Sequence, residues 1–370
     1  MIASPPRKLL DDGEQEIQDN MLSSQLKTNQ ISVNEQLNSD HSNGDSMKPL
    51  TRPRDSIIEE NILPLGTCKY KSYRFPSPSG GLTNKKIFLL KTPKTGGSTF
   101  AGILRGVADN YNLTTLYPET NFLTFKKMSE IESCAKASNI TIDQIDILCN
   151  HMDYNTEIIR QILGPNYYRV ALFRDPVSRA LSGYYHSRRF NVFCSDFSLE
   201  DWPHYCSSFH DGLGPWFKDR ANMSYFNYLQ TVQEFDHIVL SNYYTESLLV
   251  FMHKMNLRIT DLLHVSSKQG KIPDDELLTE EQITQFTSVI EKKNSLDSKV
   301  YQYVYDRLMS EYESLPEHYS ELRKIFEEML KDVQTVCSNE EDFKDCYWFD
   351  NGCAKTCIKN WIKENVECNE

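Results

Sequence analysis

The hydrophobic pattern changes character near residue 81. Before it, apolar positions are scattered among Asn, Ser, Gln, Asp and Glu, and PSPSGG (76–81) closes the stretch. Residues 1–80 therefore read as a disordered acidic tail or linker, too polar to bury a core. Beyond it, short apolar runs without alternation recur: KIFLLK (86–91), DILCN (146–150), YYRVALF (167–173) and DHIVLS (236–241). Runs of this length suit strands buried on both faces. Each is followed by a helical pattern, at 98–111, at 155–163, from Pro176, where proline suits a first turn, and at 245–255. Strands alternating with helices predict an α/β fold, a P-loop-like parallel sheet flanked by helices. Residues 279–335 read as helical, with Val300, Tyr303, Val304 and Leu308 at three- and four-residue spacing.

The chain has 370 residues, room for one large domain or two small ones. The expected division is a tail over 1–80, a catalytic domain over 81–336 and a Cys-rich extension over 337–370. Net charge is -12, with six basic against eleven acidic residues in the first 60. With a pI near 5.3, this argues against a general nucleic-acid binder and leaves room for a local anion pocket. No apolar run approaches the eighteen residues that a bilayer span needs, and the first residues lack the apolar stretch of a secretory signal. Half of the ten cysteines lie in the last 34 residues. CAKTC (353–357) is their one close pair, with three residues between, so disulfides in an oxidising compartment are a better reading than zinc. Sequons at Asn112, Asn139 and Asn222 agree with a lumenal location.

Candidate chemistry begins with LLKTPKTGGSTF (89–100), where a strand meets a helix through a glycine-bearing loop. Gly96 and Gly97 let the backbone approach a ligand, and the N–H groups at the helix start favour an anion. Lys94 adds a charge, Ser98 and Thr99 add hydroxyls, and Thr95 completes the loop. The lysine precedes the glycines, so this is not a Walker A loop. In VALFRDPVSRALSGYYHSRRF (170–190), Arg174 closes a strand and Ser182 follows eight residues later. Arginine forks onto phosphate and serine can add a hydrogen bond, while Asp175 suits a helix cap.

Together the two segments resemble the sulfotransferase family. KTPKTGGST is similar to the loop that holds the 5′-phosphosulfate of 3′-phosphoadenosine 5′-phosphosulfate (PAPS), and FRDPVSRALS to the segment that holds its 3′-phosphate. NHMDYN (150–155), DHIVLSNYYTESLLVF (236–251) and NSLDSKVYQYVYDRLMSEYE (294–313) resemble the galactose-3-O-sulfotransferases, a likeness reaching over roughly 85–337. The resemblance implies PAPS as sulfuryl donor, without a metal, and a carbohydrate acceptor, most simply a galactose 3-hydroxyl of a glycolipid or glycoprotein glycan. It also implies a membrane-associated Golgi enzyme, although no anchor is visible in the sequence. Residues Lys94, Thr95, Gly96, Gly97, Ser98, Thr99, Arg174 and Ser182 would hold the donor. Lys94 would also neutralise charge on the leaving phosphate. Pro93, where the galactose group often carries histidine, looks closer to the uronyl and heparan 2-O-sulfotransferases. Asp153 stands where a basic residue is common.

The acceptor needs a general base, and His151 at a strand end is the first candidate. Asp153 is the second, as base or as a contact to sugar hydroxyls; His186 suits a pocket or surface position. Tyr184, Tyr185, Arg188, Arg189, Trp202 and Trp216 form either an acceptor cleft or ordinary core. Cys194 and Cys206 bracket this insertion and could be joined as a staple. HVSSKQ (264–269) could help bind the adenosine end. The rival functions are a glycosaminoglycan 2-O-sulfotransferase, which would want a broad basic groove, a non-catalytic glycan binder on the same scaffold, and a P-loop kinase, against which the order of lysine and glycines speaks.

Overall fold

Alternate residues of the central strands feed two different cores. Ile87 and Leu89 join Val170, Leu172 and Val239 on one face, whereas Phe88 and Leu90 join Ala171, Phe173, Ile238 and Leu240 on the other. A sheet with two apolar faces must be covered on both, and it is. In the computed structural model the described residues are 68–70, 81–116, 124–190, 194–206, 209, 211–217, 224–266, 278–338, 350 and 352–367. All of them fall within one unit of the chain. The tail expected over 1–80 lies outside them except for residues 68–70.

In chain order the elements are β1 (Ile87–Leu90), α1 (Gly97–Tyr111), β2 (Thr124–Phe125), α2 (Met128–Ala137), β3 (Ile147–Leu148), β4 (His151–Met152) and α3 (Thr156–Leu163). There follow β5 (Tyr168–Phe173), α4 (Pro176–Phe190), α5 (Tyr225–Gln233), β6 (His237–Leu240), α6 (Tyr244–Met255), α7 (Glu280–Lys293), α8 (Ser295–Glu313), α9 (Tyr319–Cys337) and α10 (Lys355–Ile362), with shorter helical turns between. The sheet is parallel in the order β3-β1-β5-β6, with Ile87 opposite both Ile147 and Tyr168, and Phe173 opposite Leu240. The expected α/β architecture is therefore present. α1, α6, α9 and α10 cover one face; α2, α3, α5 and α8 cover the other. The long helical region divides into three helices, interrupted at Asn294 and around Pro316.

Beside this sheet stands a second, of two residues per strand, in which Thr124 pairs with His151 and Phe125 with Met152. A third apolar cluster joins Ala180 and Tyr184 of α4, Phe286 and Ile290 of α7, and Trp202, Cys206 and Phe209. The Cys194–Cys206 disulfide staples that insertion as its spacing suggested. The C-terminus is stapled too: Cys337 at the end of α9 is bonded to Cys357 of α10, and Cys68 and Cys353 are also in disulfides. Both cysteines of CAKTC are thus spoken for by sulfur, which removes the zinc reading of that pair. Residues 68–70 pack on the same region, where the Tyr70 N–H donates to the Asn365 carbonyl and Lys69 meets Glu328 and Asp332.

Candidate active site

The loop between β1 and α1 is held from below by hydroxyls. Thr92 Oγ1 donates to the Leu172 carbonyl and Thr95 Oγ1 to the Thr92 carbonyl, both at 2.8 Å. Ser241, just past β6, donates to the Thr95 carbonyl at 2.6 Å and stands 3.3 Å from that of Phe173. Three neighbouring strands thereby fix one loop. Lys94 takes a left-handed backbone (φ 64°), as does Gly96 (φ 79°), which a side chain would strain. Gly97 is needed for another reason: a Cβ there would lie 2.7 Å from Lys91 Cγ. Gly96 caps α1 without any side-chain hydrogen bond, so the N–H groups of the first turn face the loop's hollow. Thr95 is wholly buried with its hydroxyl turned inward, so only its backbone can serve a ligand. Ser98 and Thr99 are half-buried and line a cavity of about 180 Å³.

Arg174 meets this loop from the end of β5. Its Nη1 lies 3.4 Å from the Lys94 carbonyl, and its Nε is buried without a hydrogen-bond partner. Burial pulls the guanidinium below its ordinary pKa, with Asp175 and Tyr301 acting in the opposite sense. A desolvated cation with an unsatisfied donor beside an uncapped helix start fits a bound phosphate. Asp175 caps α4 by accepting from the Ser178 N–H at 2.8 Å. Ser182 is half-buried one turn beyond Ser178, on the same helical face, and makes no hydrogen bond to the loop.

Lys91 connects the loop to the candidate base. Its carbonyl is 2.8 Å from His151 Nδ1; a carbonyl only accepts, so Nδ1 carries a proton, and in the neutral ring Nε2 is the basic nitrogen. Its ammonium forms a buried ion pair with Asp350, the two side chains being 3% and 4% exposed. The Lys91 backbone thus orients His151, its stem packs beneath Gly97, and its charge is balanced from the C-terminal segment. Sequence reasoning missed Lys91, Ser241 and Asp350. The run ending in Lys91 read as a buried strand leading into the loop, and nothing local marks a partner 259 positions away.

His151 stands half-buried on β4, its ring centroid 5.9 Å from that of Trp216. Asp153 follows on the exposed side. Crowding around its carboxyl still raises its pKa by desolvation, against the pull of the Lys126 ammonium. The aromatic set between 184 and 216 divides: Trp202 and Tyr184 are core, whereas Trp216 is half-buried, packed at the margin of the second core and beside the base. His186 lies half-buried on α4. Of HVSSKQ, His264 and Val265 line the same cavity as Ser98 and Thr99, while 267–269 lie outside the described residues.

Residues 59–199 match the galactose-3-O-sulfotransferase family model. The match includes the loop, His151, Arg174 and Ser182. It begins earlier than the likeness read from the sequence and stops well before its expected end near 337, so 236–251 and 294–313 fall outside it. Mouse (Mus musculus) galactose-3-O-sulfotransferase 2 is 21% identical over 201 residues, covering 48% of this chain and 51% of that protein. The chain thus spans about half the length of the curated relative it matches. No solved structure matches.

Proposed function

We propose that this protein transfers the sulfuryl group of PAPS to a carbohydrate hydroxyl, a galactose 3-hydroxyl of a glycolipid or glycoprotein glycan. The observation that carries the proposal is Arg174, a half-buried side chain whose Nε is buried and unsatisfied at the rim of the Lys94 loop. In this reading the N–H groups of Thr95 to Thr99 and the hydroxyls of Ser98 and Thr99 hold the 5′-phosphosulfate. Arg174 and Ser182 hold the 3′-phosphate. The nucleoside lies between the loop and Arg174, bordered by the Ser98 end of the cavity that reaches His264 and Val265.

The step is an in-line displacement. The acceptor oxygen attacks sulfur as its proton passes to His151 Nε2. The bond from sulfur to the bridging phosphate oxygen breaks, and its electron pair stays on that oxygen beside the Lys94 ammonium. The products are the sugar sulfate ester and adenosine 3′,5′-bisphosphate. The protein's part is positioning and charge stabilisation. The catalytic domain is taken as 81–336, with the extension over 337–370 supplying Asp350. Among the described residues no group of His, Cys, Asp or Glu is set to hold a metal ion, and no helix is long and apolar enough to cross a membrane. Disulfides at Cys194–Cys206 and Cys337–Cys357 support assignment to an oxidising lumen, and the Golgi is proposed by resemblance.

The test is transfer from radiolabelled PAPS to a panel of glycolipids, N-glycans and glycosaminoglycans. Lys94→Ala and His151→Ala are each expected to lower kcat by about 10²–10³ or more with galactosyl acceptors. Undiminished transfer by Lys94→Ala would remove the loop assignment; undiminished transfer by His151→Ala would remove the base. Preference for a glycosaminoglycan would move the acceptor to the 2-O type.

A further inference from the structure

The proposed reaction requires a sugar hydroxyl to be held against His151 while water is kept away, and one aromatic side chain is placed for this. Trp216 is half-buried beside the His151 ring, with the two planes at 53°. Its position is fixed from both sides along the chain. The Trp216 carbonyl accepts from the Tyr154 N–H at 2.9 Å, three residues past the base. Its neighbour Phe217 is buried and stacked on Phe173 at 5.2 Å, the residue before Arg174. The backbone that carries the indole is therefore tied to the base segment and, through Phe217, to the end of the phosphate-binding strand. Trp202, by contrast, is wholly enclosed in the third cluster and presents no face to a ligand.

A pyranose ring offers an aromatic plane its C–H bonds. In the galactose configuration the axial 4-hydroxyl rises from one face, leaving the other with C–H bonds at C3, C4 and C5 and no axial hydroxyl. An indole covers such a patch well, being broad, rigid and amphipathic. A ring lying on that plane sends its equatorial hydroxyls outward along the edge. The 3-hydroxyl is equatorial, and the His151 ring lies within 5.9 Å of the indole centroid.

We propose that Trp216 is a specificity-determining residue, a platform that selects the hydroxyl-free face of a galactose-configured pyranose and thereby delivers its 3-hydroxyl to His151. The inference rests on the sulfotransferase reading above and names the acceptor surface of the same site.

The test uses the full chain with a β-galactoside and the matching β-glucoside as acceptors at saturating PAPS. Trp216→Ala is expected to raise the galactoside KM about tenfold or more, and to reduce the galactoside-over-glucoside ratio in kcat/KM by about as much. Trp216→Phe, which keeps an aromatic plane, should stay within about threefold of the parent in KM. Affinity for adenosine 3′,5′-bisphosphate should change by less than about twofold in both variants, because the indole lies on the acceptor side. Unaltered KM and sugar preference in Trp216→Ala would overturn the proposal, and so would equal damage from both substitutions. Tryptophan emission provides a readout independent of turnover. The galactoside should perturb it in the parent and not in Trp216→Phe; no perturbation in the parent overturns the platform even where Trp216→Ala folds poorly. A parent that binds no bisphosphate and sulfates no sugar would instead sink the underlying reading, and the platform with it.

Discussion

The two halves of the candidate site are built in opposite ways. The donor cradle is a loop between a strand of the main sheet and the helix that follows it, fixed by the Thr92, Thr95 and Ser241 hydroxyls and backed by the buried pair of Lys91 and Asp350. The acceptor rim consists of a two-residue strand, a half-buried tryptophan and an exposed aspartate. A cradle for a fixed anion gains from rigidity, because each N–H must point at an oxygen before the ligand arrives. A rim that meets a sugar can be altered without disturbing the sheet. Substitutions in the cradle should therefore damage folding and donor binding together, whereas those in the rim should change acceptor kinetics and leave stability alone.

The largest expected effect tests the cradle from outside the family match. Asp350→Asn leaves the Lys91 ammonium buried without its carboxylate, a change that costs about 3–5 kcal/mol in comparable pairs. The midpoint of urea unfolding should fall accordingly. Replacing both partners, as in the Lys91→Met, Asp350→Leu variant, should recover most of the loss, since apolar side chains carry no desolvation penalty. An unchanged midpoint in Asp350→Asn would mean that the pair does not anchor the loop.

The smallest expected effect lies on the rim. Crowding holds the Asp153 carboxyl above its ordinary pKa, so folding slightly disfavours its charged form. A raised folded pKa means that the native state binds protons more readily than the unfolded one, and this contribution becomes less unfavourable as pH falls. Asp153→Asn removes that charge while keeping the shape. Its stability at neutral pH should lie within about 0.5 kcal/mol of the parent, on the favourable side. Acceptor KM, measured at saturating PAPS, should nevertheless change. A substantial loss of stability would erase the contrast between rim and cradle.

The sequence made the cradle readable and the rim only partly so, for physical reasons. KIFLLK and YYRVALF are continuous apolar runs because their strands are covered on both faces, and that same burial makes them easy to recognise. The loop glycines are equally legible: Gly96 needs a left-handed backbone, and Gly97 cannot carry a Cβ against Lys91. By contrast, β2 and β4 are two residues long and carry no periodicity, so the sheet that presents His151 was invisible. Trp202 and Trp216 stand in the same aromatic stretch, and only packing separates the core residue from the one beside the base. Asp350 belongs to a segment that read as a cysteine framework, and its ion pair is a long-range contact that no local pattern encodes. Cys194 and Cys206 were legible because they bracket one short insertion.

The most direct measurement is calorimetric titration of the full chain with adenosine 3′,5′-bisphosphate, repeated with Arg174→Ala. The parent should bind one equivalent. Loss of the charged hydrogen bonds from this half-buried guanidinium should weaken binding by at least about tenfold. No binding heat in the parent, or the same affinity in Arg174→Ala, would contradict a site in which the Lys94 loop and Arg174 grip one nucleotide.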